Sequence, residues 1–207
     1  MAGLFITFEG IEGCGKSTQI RLLEAELQKK GHATLLTREP GGTAIGEKIR
    51  QVLLNANFKE MMPLTELLLY AAARCQHVNQ IIRPALQEKK IVLCDRYADA
   101  TTAYQGAGRN LDRELLKKIH ALSTENLDPN LTLLLDCPVE TGLKRAKERE
   151  ALDRFEKEEL AFHEKVRKGY LDLAKENPKR IKVVDADKDI GTVQKQIMQY
   201  VEQYLRA

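Results

Sequence analysis

The fold is decided by residues 10–17, which read Gly10-Ile11-Glu12-Gly13-Cys14-Gly15-Lys16-Ser17. This stretch satisfies the pattern GxxxxGK[ST] in full, and it lies between a predicted strand, Leu4 to Phe8, and a predicted helix, Ser17 to Lys30. Glycines let the backbone wrap closely around a phosphate and point its N–H groups inward. The helix that follows presents the positive end of its dipole to the same phosphate. The stretch therefore predicts a P-loop.

Two side chains of this loop predict how a nucleotide is held. Lys16 can reach the β- and γ-phosphates, and the Ser17 hydroxyl can ligate Mg²⁺, a hard ion that prefers oxygen. The residues predicted to bind ATP are Gly10, Ile11, Glu12, Gly13, Cys14, Gly15, Lys16, Ser17 and Thr18. The motif alone does not name the reaction, because GTPases, ATPase motors, regulatory modules and small-molecule kinases all use it.

Short apolar runs alternate with helical patterns along the whole chain. The further predicted strands are Ala33 to Thr37, Ile91 to Cys94, Leu131 to Asp136 and Ile181 to Val184. The further predicted helices are Thr43 to Leu54, Pro63 to Glu88 with a kink or break at Pro84, Leu111 to Ser123, Val139 to Arg149, Phe155 to Lys175 and Ile190 to Arg206. Near-continuous apolar strands separated by helices are typical of a parallel sheet covered on both faces. We therefore predict an α/β fold, a single P-loop NTPase-like domain over 1–207, with a five-stranded parallel sheet and a helical lid at about 142–157.

Composition limits the classes of function. The chain has 207 residues and a net charge of only +3, and its basic residues form no dense run, which argues against a nucleic-acid partner. No apolar run approaches the length of a membrane span, and no basic segment with a cleavage site marks a secretory signal. The four cysteines stand far apart in the sequence, so neither a zinc site nor a disulfide framework is indicated. We expect a cytoplasmic protein that meets anionic ligands in a cleft.

Polar clusters after two predicted strands favour a kinase. Asp95 ends an apolar strand and can help to hold Mg²⁺, and Arg96 beside it has the planar, always charged group that grips phosphate. Arg38 precedes a glycine-rich turn and could clamp the phosphate of an acceptor, although a surface ion pair is an equal alternative for it. The guanine-specifying pattern NKxD is absent from the sequence, which disfavours a GTPase.

Two helical segments add weaker signals. Tyr70 and Arg74 are four residues apart and share a helix face, so that an aromatic ring could stack on a base while a guanidinium donates to its edge. A basic cluster follows the fourth predicted strand and could close over ATP, although such a run is often only a solvated helix face. The members of this cluster are Lys144, Arg145, Lys147, Arg149 and Arg154.

Taken together, these clusters resemble the thymidylate kinase family in its bacterial form, over essentially the whole chain. The segments that carry the resemblance are Phe8-Glu-Gly-Ile-Glu-Gly-Cys-Gly-Lys-Ser-Thr, Arg38-Glu-Pro-Gly-Gly-Thr, Tyr70-Ala-Ala-Ala-Arg74, Asp95-Arg-Tyr, Ala103-Tyr-Gln-Gly-Ala-Gly-Arg109 and Leu152-Asp-Arg-Phe-Glu156. The resemblance implies transfer of the γ-phosphoryl group of ATP to dTMP, giving dTDP and ADP, with Mg²⁺ bound by Ser17 and Asp95. It also implies a homodimer.

The resemblance further implies roles for individual residues. Lys16, Arg96, Arg154 and Glu12 are expected to serve catalysis, with Glu12 near the 3′-hydroxyl and phosphate of the acceptor. The residues expected to bind dTMP are Glu12, Arg38, Tyr70, Arg74, Arg96, Thr101, Thr102, Tyr104 and Gln105. Among them, Tyr70 is expected to stack on thymine and Arg74 to meet its edge.

The source of the transition-state arginine is a further expectation from the resemblance. Some family members carry it in the P-loop directly after the acidic residue, where this sequence has Gly13. Others supply it from the lid, where Arg154 matches and Arg145 and Arg149 are possible companions. The chain departs from the family by having Tyr70 where phenylalanine is frequent and Ala100 where serine is common. Two rival functions stay open: a kinase of the same fold with another acceptor, and an ATP-binding module without turnover.

Overall fold

The computed structural model describes residues 3–147, 154–156 and 158–205, and within them five strands form one sheet. The strands are β1 (Leu4–Glu9), β2 (Thr34–Arg38), β3 (Ile91–Asp95), β4 (Leu131–Asp136) and β5 (Ile181–Asp185). They are all parallel, in the order β2-β3-β1-β4-β5. The predicted α/β fold with a five-stranded parallel sheet is confirmed. Because the strands are parallel, their carboxyl ends meet at one edge of the sheet.

Helical segments connect the strands. The α-helices are α1 (Lys16–Lys29), α2 (Ala44–Leu54), α3 (Pro63–His77), α4 (Arg83–Gln87), α5 (Ala98–Thr101), α6 (Arg113–Thr124), α7 (Val139–Lys147), α8 (Leu160–Glu176) and α9 (Ile190–Leu205). Two π-helical segments, Val78–Ile82 and Thr102–Gly108, continue α3 and α5. Such π-helical stretches are frequent at functional sites.

Alternate residues of the central strands point to opposite faces of the sheet, and helices cover both. On one face, Phe5 and Val92 pack against Ile82 and its neighbours in the Val78–Ile82 segment and α4. On the other face, Ile6 and Leu93 belong to the larger core cluster, which also contains Leu23 of α1. All six of these side chains are at most 1% exposed. Burial on both faces explains why the strands read as continuous apolar runs.

Side-chain caps fix where two of the helices begin. The Thr43 hydroxyl accepts a hydrogen bond from the amide of Gly46 at 2.9 Å, and Asp112 accepts one from the amide of Leu115 at 2.9 Å. Each cap satisfies an amide that has no partner within the helix, which stabilises a helix by about 1 kcal/mol. The cap at Thr43 also ends the glycine-rich turn that follows Arg38.

The observed helices differ from the predicted ones in three places. The helix predicted from Phe155 begins only at Leu160, because Phe155 is buried in a turn at the edge of a cavity. The stretch predicted over 63–88 changes to π-helical geometry before Pro84, which then starts a new short helix. The helical path over 98–108 was not predicted, since its small and polar residues carry no clear amphipathic period.

Part of the predicted lid at 142–157 lies outside the described residues. Residues 148–153 and 157 belong to that part, and they include Arg149 and the first two residues of the Leu152–Glu156 motif. Within the described part of the chain, no helix is long and apolar enough to cross a membrane.

Candidate active site

The loop that joins β1 to α1 has a backbone conformation that favours glycine. Gly10, Gly13 and Gly15 have φ angles of 135°, 68° and 95°. A Cβ atom at Gly13 would collide with the backbone carbonyl of Gly142 in α7. This close approach gives a physical reason why residue 13 carries no side chain, and thus no arginine, in this protein.

Lys16 lies in the first turn of α1 and is 8% exposed. Its ammonium group donates to the carbonyl oxygens of Gly10 at 3.1 Å and Ile11 at 2.8 Å. These hydrogen-bond acceptors are neutral carbonyl oxygens. An anionic phosphate within the loop would be a stronger acceptor for the ammonium group than either of them.

Ser17 and Asp95 meet beside the loop. The Ser17 hydroxyl donates to Oδ2 of Asp95 at 3.1 Å, because Asp95 ends the strand that pairs with β1. Both side chains offer the oxygen atoms that Mg²⁺ prefers. Among the described residues, no group of three or more His, Cys, Asp or Glu side chains could hold a metal. A magnesium ion here would therefore complete its coordination with water and nucleotide phosphates.

Arg96 connects β3 to the P-loop. Its backbone has a φ of 70°, in the left-handed region that residues other than glycine seldom adopt. Its guanidinium donates through Nη1 to the carbonyl of Gly10 at 2.9 Å and through Nη2 to Oε1 of Glu12 at 2.9 Å. The same group lies 4.9 Å from the ring centroid of Tyr104. The unusual backbone conformation thus aims a fixed cation at the P-loop.

Glu12 is half-buried among polar partners. The Tyr104 hydroxyl donates to its Oε1 at 2.5 Å, and Nδ1 of the fully buried His163 lies 3.5 Å from its Oε2. Burial alone would raise the pKa of Glu12, but Arg96, the nearby imidazole of His163, and Lys16 lower it to about 2. The carboxylate is therefore charged at neutral pH and can accept hydrogen bonds.

A cavity of about 280 Å³ opens at the carboxyl edge of the sheet, next to the P-loop. Ligands of open parallel sheets bind at this edge. The predicted site residues that line the cavity are Glu12, Lys16, Ser17, Arg38, Tyr70, Arg74, Asp95, Arg96, Thr101, Tyr104 and Gln105. The fold thus brings together residues that are distant in the sequence, as predicted from their positions after strands and on α3.

The end of the cavity far from Lys16 is aromatic and polar. Tyr70 and Arg74 lie one turn apart on α3, as predicted. Arg74 is 2% exposed and donates to Oε2 of Glu39 at 2.7 Å and to the Thr101 hydroxyl at 2.9 Å. The Tyr70 ring lies 6.2 Å from that of Phe155, which also lines the cavity. Aromatic rings and a guanidinium group are the side chains that can stack on a planar base and donate to its edge.

The sequence left two alternatives for Arg38, a phosphate clamp and a surface ion pair, and its position in the structure is compatible with both. It lines the cavity, and its Nη2 lies 2.9 Å from both carboxylate oxygens of Glu47. Both side chains are more than two-fifths exposed, and ion pairs of this kind contribute little to stability. The guanidinium is therefore available to an anionic ligand.

A second cavity, of about 340 Å³, lies on the other side of the P-loop. Gly13, Gly15 and Thr18 line it, together with Arg145 of α7 and residues of the loop after β5. Arg145 donates to the carbonyl of Ala186 at 3.3 Å, which holds it at the rim of this cavity. Residues of the P-loop thus line both cavities.

Two predicted residues are not brought to the first cavity. Thr102 instead lines two other cavities together with Leu116, of about 400 Å³ and 170 Å³, because helical geometry places only its neighbours toward the first cavity. Arg154 is buried and pairs with Glu66 at 2.6 Å instead of facing the P-loop. Arg149, named as its possible companion, lies outside the described residues.

Sequence reasoning gave no role to several residues that the structure places at the site. Glu39 connects Arg74 to His77, because its Oε2 accepts from Arg74 and its Oε1 lies 3.0 Å from Nδ1 of His77. Glu39 belongs to the Arg38–Thr43 segment, which was already singled out in the sequence, so its position there could have indicated a role at the site. His163 and Glu66 carried no signal, since each is a single polar residue on an otherwise ordinary helix.

Comparison with known proteins identifies the family. A family model described as thymidylate kinase matches residues 8–197. The chain belongs to the thymidylate kinase family. It is 56% identical to a thymidylate kinase of Trichlorobacter lovleyi, over 88% of this chain and 89% of that protein. It is also 56% identical to one of Syntrophotalea carbinolica, over 91% and 90% of the two chains. The crystal structure of the thymidylate kinase from Ehrlichia chaffeensis superimposes with a TM-score of 0.80, at 35% identity, covering 97% of this chain and 100% of that one.

The buried carboxyl group of Glu9, directly before the P-loop, is expected to bind a proton. Glu9, at the end of β1, accepts hydrogen bonds from the amide of Tyr97 at 2.7 Å and the hydroxyl of Tyr170 at 2.8 Å. Burial and the nearby Asp99 raise its pKa from 4.5 to about 8, against the lowering effect of Arg96. The folded state therefore retains a proton on Glu9 that the unfolded chain releases.

This raised pKa predicts a pH-dependent stability. The stabilising contribution of Glu9 is present in full below pH 4.5 and is lost as pH rises through about 8. We expect Glu9→Gln to flatten the decline of the melting temperature over this interval, measured by scanning calorimetry for both proteins. Parallel curves for wild type and variant would contradict the assignment.

The contact between Gly13 and α7 predicts a second result. Gly13→Ala should weaken ATP binding by about tenfold or more, because the loop must move to avoid Gly142. Gly31→Ala is the matched control, since Gly31 also has a positive φ but a Cβ there meets nothing within 4 Å. The control should lose only about 1 kcal/mol of stability, from backbone strain. Calorimetric titration with ATP measures both, and equal ATP affinities in the two variants would refute the steric argument.

Proposed function

We propose that the chain transfers the γ-phosphoryl group of ATP to dTMP, giving dTDP and ADP. Family membership supports the reaction. The observation that carries it is the first cavity, which has the P-loop and Arg96 at one end and Tyr70, Arg74 and Gln105 at the other. A nucleoside monophosphate has the same polarity, with an anionic phosphate and a planar base.

The donor nucleotide would enter from the second cavity. Its adenosine part would lie among Arg145 and the loop after β5, and its phosphates would lie in the P-loop. Lys16 would then exchange the carbonyls of Gly10 and Ile11 for the β- and γ-phosphate oxygens. The exchange is favourable because a charged acceptor makes a stronger hydrogen bond than a neutral one.

Ser17 and Asp95 would hold Mg²⁺ together with the phosphates of ATP. Their hydrogen bond already places the two oxygen donors side by side, and the small number of protein ligands fits a Mg²⁺ site completed by phosphate and water. When bound, the ion supplies neutralisation of the phosphate charge.

The acceptor would be held along the first cavity. Arg96 and Arg38 would bind its phosphate, Glu12 would lie near its 3′-hydroxyl, and Thr101 and Tyr104 would pack along the base and sugar. Tyr70 would stack on thymine, and the donors of Arg74 that Glu39, Thr101 and the Tyr97 carbonyl leave unused would face its edge. The depth at which Arg74 is fixed favours a single orientation of the base.

Transfer itself would depend on position and charge. A phosphate oxygen of dTMP is already a nucleophile at neutral pH, so no general base is needed. Lys16 and Arg96 would offset the charge of the transferred group, which is the main contribution a protein makes to phosphoryl transfer. The guanidinium of Arg154 pairs with buried Glu66 and does not contribute to this neutralisation in the structure described.

A panel of acceptors tests the proposal against both rivals. With ATP and Mg²⁺, an assay coupled to ADP release should give its highest kcat/KM with dTMP, and Lys16→Ala should lose activity with every acceptor. Higher kcat/KM with another nucleotide or with a deoxynucleoside would replace the proposed substrate. No turnover with any acceptor would favour an ATP-binding module.

We also propose that the protein is a homodimer and that it acts in the cytoplasm. An apolar stripe on α3 supports the dimer: Leu64 and Leu68 are each 48% exposed, one turn apart. Leu122 on α6, a helix that packs against α3, is 76% exposed. Exposed apolar patches of this kind mark protein interfaces.

The dimer proposal predicts different results for two matched leucines. Leu68→Glu should give a monomer, whereas Leu160→Glu, at the equally exposed start of α8, should leave the dimer intact. Light scattering coupled to size-exclusion chromatography measures the mass of each. A monomeric wild type, or a Leu68→Glu dimer, would refute the proposed surface.

A further inference from the structure

Glu66 is a buried carboxylate to which the proposed reaction gives no role. It lies in the first turn of α3 and has no exposed surface. Its Oε1 accepts a hydrogen bond from Nε2 of Gln105 at 2.7 Å, and its Oε2 lies 2.6 Å from Nη1 of Arg154 and 3.4 Å from Nη2 of Arg109. A buried charge with this many donors is held in one position.

The position of Glu66 on α3 connects it to the cavity. Residues 66, 70 and 74 follow one another at intervals of four, so Glu66 lies on the same helix face as Tyr70 and Arg74. Its partner Gln105 lies on the π-helical segment and lines the cavity. Because Glu66 occupies the amide nitrogen of Gln105, the amide oxygen of that side chain is left to other partners.

The two arginines bound to Glu66 also hold Phe155. Arg154 lies 4.5 Å from the ring centroid of Phe155 and donates through Nε to the carbonyl of Leu53 at 2.9 Å. Arg109 lies 5.8 Å from the same ring and pairs with Glu158 at 2.6 Å. Two carboxylates and two guanidinium groups therefore balance in charge around one aromatic ring.

Phe155 in turn forms part of the cavity wall. Its ring centroid lies 5.6 Å from that of Tyr104 and 6.2 Å from that of Tyr70, the residue proposed to stack on the base. The ring is 3% exposed and lines the first cavity. The placement of this wall thus depends on the ion pairs of Glu66.

We propose that Glu66 is a positioning residue for the acceptor base. It holds Gln105 directly and holds Phe155 through Arg154 and Arg109, and so sets the shape of the base end of the cavity. Arg154 and Arg109 act in this arrangement as the two cations that link Glu66 to the ring of Phe155. The inference rests on the proposed function, since it assigns that end of the cavity to the base of dTMP.

Steady-state kinetics with each substrate varied in turn test the proposal. Glu66→Gln should raise the KM for dTMP about tenfold, with kcat and the KM for ATP within about threefold of wild type. Arg154→Met should raise the KM for dTMP by a similar factor, and the double variant should have the same KM for dTMP as either single variant, because both changes break one unit. Arg113→Ala, which removes an exposed ion pair with Glu176, is the control and should leave all constants unchanged.

The same measurements separate other roles of Arg154. A fall in kcat of about a hundredfold or more in Arg154→Met, with the KM for dTMP unchanged and Glu66→Gln normal, would make it a catalytic arginine and overturn the proposal. A purely structural role would move the constants of both substrates together, and that result would also overturn it.

A further variant keeps the test decisive if Glu66→Gln does not fold. Phe155→Leu removes the aromatic wall without leaving a charge unpaired, and it should raise the KM for dTMP and leave that for ATP unchanged. An unchanged KM for dTMP would overturn the proposal. Failure of the proposed function is distinguishable, since wild type itself would then not phosphorylate dTMP.

Discussion

The guanidinium of Arg96 is the group on which the arrangement of the site depends. It binds the P-loop backbone at Gly10, the acidic side chain of Glu12 and, at 3.1 Å, the hydroxyl of Tyr170 in α8, and it lies against the ring of Tyr104. One cation thereby joins the end of β3 to the P-loop, to the π-helical segment Thr102–Gly108 and to α8. The left-handed backbone at this residue is the local strain that makes this geometry possible.

The position of Arg96 follows from the parallel sheet. Phe8 and Asp95 are register partners on adjacent strands, so the residues that follow them emerge side by side. The amide of Arg96 donates to the carbonyl of Phe8 at 2.9 Å and continues this pairing by one residue. The P-loop and the arginine that we propose binds the acceptor therefore leave the sheet at one point, and phosphoryl transfer between two nucleotides requires such proximity.

Much of the fold could be predicted because its signals are local. The P-loop pattern specifies a strand, a turn and a helix, and the apolar runs such as Leu131–Asp136 mark strands buried on both faces. The base end of the cavity was predicted in part, from the spacing of Tyr70 and Arg74 and from resemblance to the family. What these signals lack is any information on contacts between distant segments.

Arg154 illustrates what the sequence could not provide. A basic run after the fourth strand predicted a cation directed at ATP, but a single carboxylate on α3, 88 positions earlier in the numbering, pairs with it. The same tertiary contact keeps Phe155 in a turn where the helical period predicted a helix. His163 was missed for a similar reason, since its contact with Glu12 exists only once α8 has packed against the P-loop.

We propose that the P-loop separates the second cavity, which takes the donor nucleotide, from the first cavity, which takes the acceptor, and that Arg96 joins them. A crystal structure with dTMP and a non-hydrolysable ATP analogue tests it most directly. We predict dTMP in the first cavity, with its base against Tyr70 and its phosphate within hydrogen-bonding distance of Arg96, and the triphosphate in the P-loop from the opposite side. A dTMP phosphate bound away from Arg96, or both nucleotides on one side of the P-loop, would contradict it.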